Sequence, residues 1–128
     1  MKMNHLGYAT RNLEEAIDAF LKLGYTTVYE DIKHHEPKNM YVQRVQLGDL
    51  IVELMATVDT SKPSFVSEKL EATTEPFLLH HLCYDVDDIH KTVDDLMATG
   101  DYHSRAHHQR CVSEKSNLLF EAQADRAS

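Results

Sequence analysis

Residues 5–24, HLGYATRNLEEAIDAFLKLG, and residues 81–100, HLCYDVDDIHKTVDDLMATG, decide the fold, because they read as two copies of one unit. The copies align without a gap at an offset of 76 residues, pairing His5 with His81, Leu6 with Leu82, Tyr8 with Tyr84, Asp18 with Asp94 and Gly24 with Gly100. The apolar positions correspond as well: Leu13 with Ile89, Ile17 with Val93, Phe20 with Leu96 and Leu21 with Met97. Identities alone could be coincidence in so short a stretch; identities with a shared periodicity and a shared terminator indicate a repeat. Each copy begins with a short strand that opens on His. A helix follows, capped by Asn12 or Asp88, with Glu15 in the capping-box position of the first copy. Its apolar residues recur at helical spacing, and Gly24 or Gly100 supplies the left-handed residue that ends it.

Beyond the first helix the sequence turns to strand-forming residues. Residues 25–32 are rich in Thr, Val and Tyr and predict a strand. KHHEPKN reads as a polar turn, residues 40–47 as a strand, Gly48-Asp49 as a tight turn and residues 50–55 as a further strand. The first module is therefore β-α-β-β-β, over about residues 3–56. A linker, 57–76, carries Pro63, Pro76 and a helix-like FVSEKL. The second module, about 77–124, is shorter: His5 and Glu53 stand 48 residues apart, His81 and Glu121 only 40. Residues 110–112 and 118–123 are its expected strands. The fold class expected is α+β, a single domain over 1–128 in which two such modules form a curved mixed sheet around a central cavity.

Composition narrows the function. The 128 residues are 42% hydrophobic and 27% charged, with 21 acidic against 13 basic side chains and a net charge of −8. A nucleic-acid partner would need a basic footprint, which is not visible. No apolar run approaches the roughly 20 residues of a membrane span, and the N-terminus lacks a secretory pattern, so a cytoplasmic protein with no membrane partner is expected. Cys83 and Cys111 are the only cysteines, too few for a disulfide framework. Cys83 reads as a small buried hydrophobe.

Strand alternation then selects four residues. Leu6 and Tyr8, like Leu82 and Tyr84, should pack on the helices, which turns His5 and His81 to the opposite face. Val52 and Leu54 should do the same, leaving Glu53 opposite; Leu118, Phe120 and Ala122 leave Glu121. Two His and two Glu from equivalent strands form a ligand set for one divalent ion (Zn, Co, Ni, Mn or Fe), with open positions if the ion is octahedral. Exposed pairs such as His34-His35 and His107-His108 are ordinarily solvated.

These residues carry a resemblance. HLGYAT with IVELM, then HHLCYDVDDI with LLFEA, resemble the vicinal oxygen chelate (glyoxalase/bleomycin resistance/dioxygenase) superfamily over residues 3–123. HHLCYDVDDI and the linker DTSKPSFVSEKL are most similar to its methylmalonyl-CoA epimerase and lactoylglutathione lyase branch. The resemblance implies metal ligation at His5, Glu53, His81 and Glu121; the offset of 76 makes His81 the ligand and His80 its outward neighbour. It also implies isomerase or lyase chemistry on a small-molecule thioester or thiohemiacetal: the ion polarises a carbonyl, Glu53 or Glu121 moves the adjacent proton, and Arg44, Arg105, Arg110 and Lys115 are candidates to hold an anionic tail. Two alternatives stand beside it. One is a metal-free binding protein of resistance or sequestration type, favoured by the clipped second module. The other is an Fe(II) extradiol-type dioxygenase, which a fourth ligand at Glu53 would crowd. Sheet edges left by the shortened module predict a homodimer.

Overall fold

The structure, a computed structural model, describes residues 2–99, 109–114 and 119–120. The chain divides into two compact units, residues 6–80 and residues 1–5 with 81–128. The divisions fall inside two strands, β1 (Lys2–Thr10) and β6 (Phe77–Val86), and not in the linker. Among the described residues no helix is long and apolar enough to cross a membrane.

In the larger unit, α1 (Leu13–Lys22) starts where the sequence predicts. Asn12 is extended (φ −135°, ψ 109°) and its side chain accepts a hydrogen bond from the Glu15 backbone N–H at 3.0 Å, satisfying one of the donors a helix start leaves open. The helix stops at Leu23, and Gly24 follows at φ +100°. Leu13 and Ala16, joined by Ile17 and Phe20, pack over Val45, Val52, Leu54 and Ala56, with Leu6 and Tyr8 on the same face of β1. Val45, Val52 and Leu54 are essentially solvent-free, and burying side chains of this size contributes about 1.5–3 kcal/mol each.

The strand expected over 25–32 is only β2 (Thr26–Thr27); the chain then bends, and β3 (Lys33–His35) lies within the predicted turn, followed by a 3-10 turn at Glu36–Lys38. The reason is Gln43, buried on β4 (Met40–Leu47). Its side-chain oxygen accepts from the Tyr29 N–H at 3.1 Å and its amide donates to the Tyr29 carbonyl at 3.2 Å, so a side chain takes the place of ladder bonds there. Strand β5 (Leu50–Thr57) pairs antiparallel with β4 and parallel with β1. The hydrogen-bonded order in this unit is β2-β4-β5-β1, with β3 also on β4. The linker piece FVSEKL is α2 (Phe65–Leu70), capped by Ser64; Val66 and Leu70 bury against Ala9, Met40, Val42 and Met55, on the face opposite α1.

The smaller unit repeats the pattern. Asp88 accepts from the Lys91 N–H at 3.0 Å at the start of α3 (Ile89–Thr99), and Ile89 and Val93 pack with Val86 of β6. The remaining strands are β7 (Gln109–Glu114), parallel to β6, and β8 (Leu119–Phe120), antiparallel to β7. The end of the second expected strand lies outside the described residues.

Candidate metal centre

Alternation along β1 sends Leu6 and Tyr8 toward α1, so His5 takes the other face, as expected. It is 3% exposed. In β6, Val86 faces α3, which puts His81 and Cys83 on the opposite face; His81 is 4% exposed. The two imidazoles meet within the smaller unit: Nε2 of His5 lies 3.0 Å from Nε2 of His81, with the rings edge-to-face at 85° and centroids 5.1 Å apart. Nδ1 of His5 contacts Oδ1 of Asn4 at 2.6 Å, and Nδ2 of Asn4 donates to both carboxylate oxygens of Asp85 at 3.1 and 3.3 Å. Buried imidazoles that meet through their outer nitrogens are what a divalent ion of the zinc, cobalt or iron type takes as ligands, so the residues fit such an ion.

Glu53 sits in the larger unit, in register with Arg44 on β4 and Gly7 on β1. Its neighbours Val52 and Leu54 pack under α1, which turns the carboxylate the other way, as alternation predicts. Nε and Nη2 of Arg44 donate to the same Glu53 oxygen, Oε2, at 3.1 and 3.0 Å, and the two side chains are 23% and 14% exposed. Arg44, expected to hold an anionic tail, is thus engaged with a candidate ligand. Asn4, Asp85 and the Arg44–Glu53 pair are the parts of the site that sequence reasoning missed. Asn4 stands one residue outside the repeat as read, and pairing across strands needs a register that spacing does not supply.

Other expectations fare differently. His80 does not face outward: it is 4% exposed, and its ring packs 4.7 Å from that of Phe65 in α2, because the linker helix covers that part of the strand. His34 and His35 are exposed on β3. Cys83, fully buried, is disulfide-bonded, where composition suggested a simple apolar residue; in the β6–β7 register it stands opposite Cys111, the chain's other cysteine. Glu121, Arg105, Lys115, His107 and His108 lie outside the described residues, and Arg110 is described only as part of β7.

The larger unit also carries a cleft of about 540 Å³ lined in part by Thr10, Arg11, Thr57, Ser64 and Ser67. Its polar groups bond to protein: Thr57 Oγ1 contacts Ser64 Oγ at 2.9 Å and Ser67 Oγ at 2.6 Å, and the Arg11 guanidinium donates to the carbonyls of Leu70, Thr73 and Glu75. These bonds tie Arg11, just after β1, and Thr57, at the end of β5, to the linker.

Comparison with known proteins agrees with this architecture. The methylmalonyl-CoA epimerase, mitochondrial, of Dictyostelium discoideum is 29% identical over 99 residues, covering 76% of this chain and 56% of that protein. The chain therefore spans little more than half the length of that curated relative. The crystal structure of methylmalonyl-CoA epimerase from Mycobacterium tuberculosis superposes with a TM-score of 0.62 at 20% identity, over 77% of this chain and 64% of that one. A Streptomyces coelicolor methylmalonyl-CoA epimerase variant in complex with 2-nitronate-propionyl-CoA gives a TM-score of 0.69 at 13% identity, over 94% and 98% of the two chains. At these identities the structural likeness establishes the α+β fold. Residues 4–107 match the family description directly, and the chain belongs to the glyoxalase/bleomycin resistance protein/dioxygenase superfamily.

Proposed function

We propose that this chain is a metal-dependent isomerase of epimerase type, acting beside the carbonyl of a small acyl thioester, with His5, Glu53, His81 and Glu121 as ligands to one divalent ion. The observation that carries the reading is the His5–His81 pair, two buried imidazoles meeting through Nε2 at 3.0 Å. Epimerase relatives and the carboxylate of Glu53 on the face opposite α1 support it. When bound, the ion supplies Lewis-acid polarisation of a carbonyl, which acidifies the neighbouring C–H. The chain's own contribution is a pair of imidazoles held out of water and a carboxylate, Glu53 or Glu121, that moves the proton. Arg44 sets the charge around Glu53 through its two hydrogen bonds.

The test is solvent deuterium uptake at the carbon beside the carbonyl, with methylmalonyl-CoA as the first substrate. Uptake should require added divalent ion and collapse in Glu53→Gln or Glu121→Gln. Gln can ligate through its carbonyl oxygen and cannot take a proton, so the variant that loses exchange while retaining metal identifies the base. No exchange across a panel of CoA and glutathione thioesters would refute the isomerase reading and leave a binding protein of the same fold. The assembly proposed is a homodimer. Leu23, Leu47 and Leu50 are exposed apolar residues at the α1 end and the β4–β5 turn, a surface suited to a second copy.

A further inference from the structure

The His5 ring is held from behind by two residues that reach no ligand position. Asp85, as a carboxylate, can only accept hydrogen bonds, and both of its oxygens lie within 3.3 Å of Asn4 Nδ2. That contact decides which end of the Asn4 amide is nitrogen, a choice that is otherwise ambiguous. The amide oxygen then faces His5 Nδ1 at 2.6 Å. An oxygen acceptor at that distance requires a proton on Nδ1. A neutral His5 accordingly keeps its lone pair on Nε2, the atom that meets His81. The carboxylate thus selects, through Asn4, the one tautomer of His5 that can bind an ion through Nε2.

We propose that Asn4 and Asp85 are positioning residues for the metal centre, acting by locking His5 as the Nδ1–H tautomer with Nε2 aimed at the ion. This rests on the reading of His5 as a ligand.

The experiment uses full-length protein, zinc titration by calorimetry and nitrogen-15 long-range correlation spectra of the imidazoles. Asn4→Leu removes the acceptor, and the double variant Asn4→Asp with Asp85→Asn exchanges the two groups and restores an acceptor facing His5. Expected are a zinc affinity lower by about 10–100-fold in Asn4→Leu, recovery in the exchanged pair, and a His5 signal that is Nδ1–H in the parent and mixed in Asn4→Leu. Circular dichroism verifies that the variants fold, and the exchanged pair keeps the tautomer readout should Asn4→Leu prove unstable. Parental zinc affinity together with an unchanged Nδ1–H signal in Asn4→Leu, while His5→Ala loses zinc, overturns the positioning role alone. Parental affinity in His5→Ala overturns the ligand reading on which it stands.

Discussion

Arg44→Met separates what the Arg44–Glu53 pair does for the fold from what it does for an ion. Arg44 donates twice to Glu53 Oε2, at 3.1 and 3.0 Å, and the side chains are 23% and 14% exposed. Two unit charges about 4 Å apart attract by about 4 kcal/mol at an effective dielectric of 20. Exposure and desolvation offset much of this, since exposed pairs contribute about 0.2–1 kcal/mol and breaking fully buried ones costs about 3–5. A net loss of about 1–2 kcal/mol follows for this half-buried pair, or a Tm lower by about 4–8 °C at this chain length. Removing both partners, in Arg44→Met with Glu53→Met, should be milder than removing Arg44 alone, because no carboxylate is left unpaired. The sign reverses when metal is added. With Glu53 as a ligand, as proposed, guanidinium and ion would draw on the same carboxylate, so the apo-destabilised Arg44→Met should bind zinc more tightly, by about tenfold if 1.4 kcal/mol of competition is relieved. Differential scanning fluorimetry with and without zinc, and calorimetric zinc titration, read both effects. An unchanged apo Tm with no coupling in the double-mutant cycle would refute the structural half; weaker zinc binding in Arg44→Met would refute the competition.

Three other outcomes are expected. Gly24→Ala should destabilise by about 1 kcal/mol through its positive φ, because the nearest atom to a new Cβ, Leu47 Cδ1, is an ordinary contact at 3.8 Å and gives no clash; chemical denaturation measures it. Peptide mapping without reductant should recover Cys83 linked to Cys111, and reduction should lower stability by about 3.6 kcal/mol for a loop of this length. Light scattering at tens of micromolar should give a dimeric mass that Leu47→Glu or Leu23→Glu shifts toward monomer; a parent that is already monomeric would count against the exposed leucines as an interface.

The elements that the repeat made legible are those whose signals are local. Asn12 and Gly24 bracket α1 in the sequence and in the structure because capping needs only nearby residues. Strand faces were legible too: once Leu6, Tyr8, Val52 and Leu54 were given to the helix layer, His5 and Glu53 had one face left. What was not legible depends on distant partners. Residues 25–32 have strand propensity, yet the Gln43 side chain occupies the Tyr29 backbone groups and the strand shrinks to Thr26–Thr27. The repeat offset makes His80 an outward neighbour, yet the Phe65 ring of α2, from the linker, meets it at 4.7 Å. Arg44 and Glu53 are nine residues apart on a hairpin, and only the register Arg44↔Glu53 makes them a pair.

The repeat also hides an asymmetry between the two histidines. At the offset of 76 that pairs His5 with His81, the residue opposite Asn4 is His80. Asn4 supports the ring beside it, whereas the ring of His80 packs on Phe65. The two copies therefore present the same imidazole from the same strand position with different residues just before it. In the first copy, that residue sets the tautomer through a carboxylate two positions beyond Cys83. In the second, it ties the strand to the linker helix. Equivalence of strand position does not extend to equivalence of surroundings, and a substitution just before each histidine should have different consequences. Asn4 variants should act on the ion through His5. His80→Ala should act first on the packing of Phe65 and so on stability.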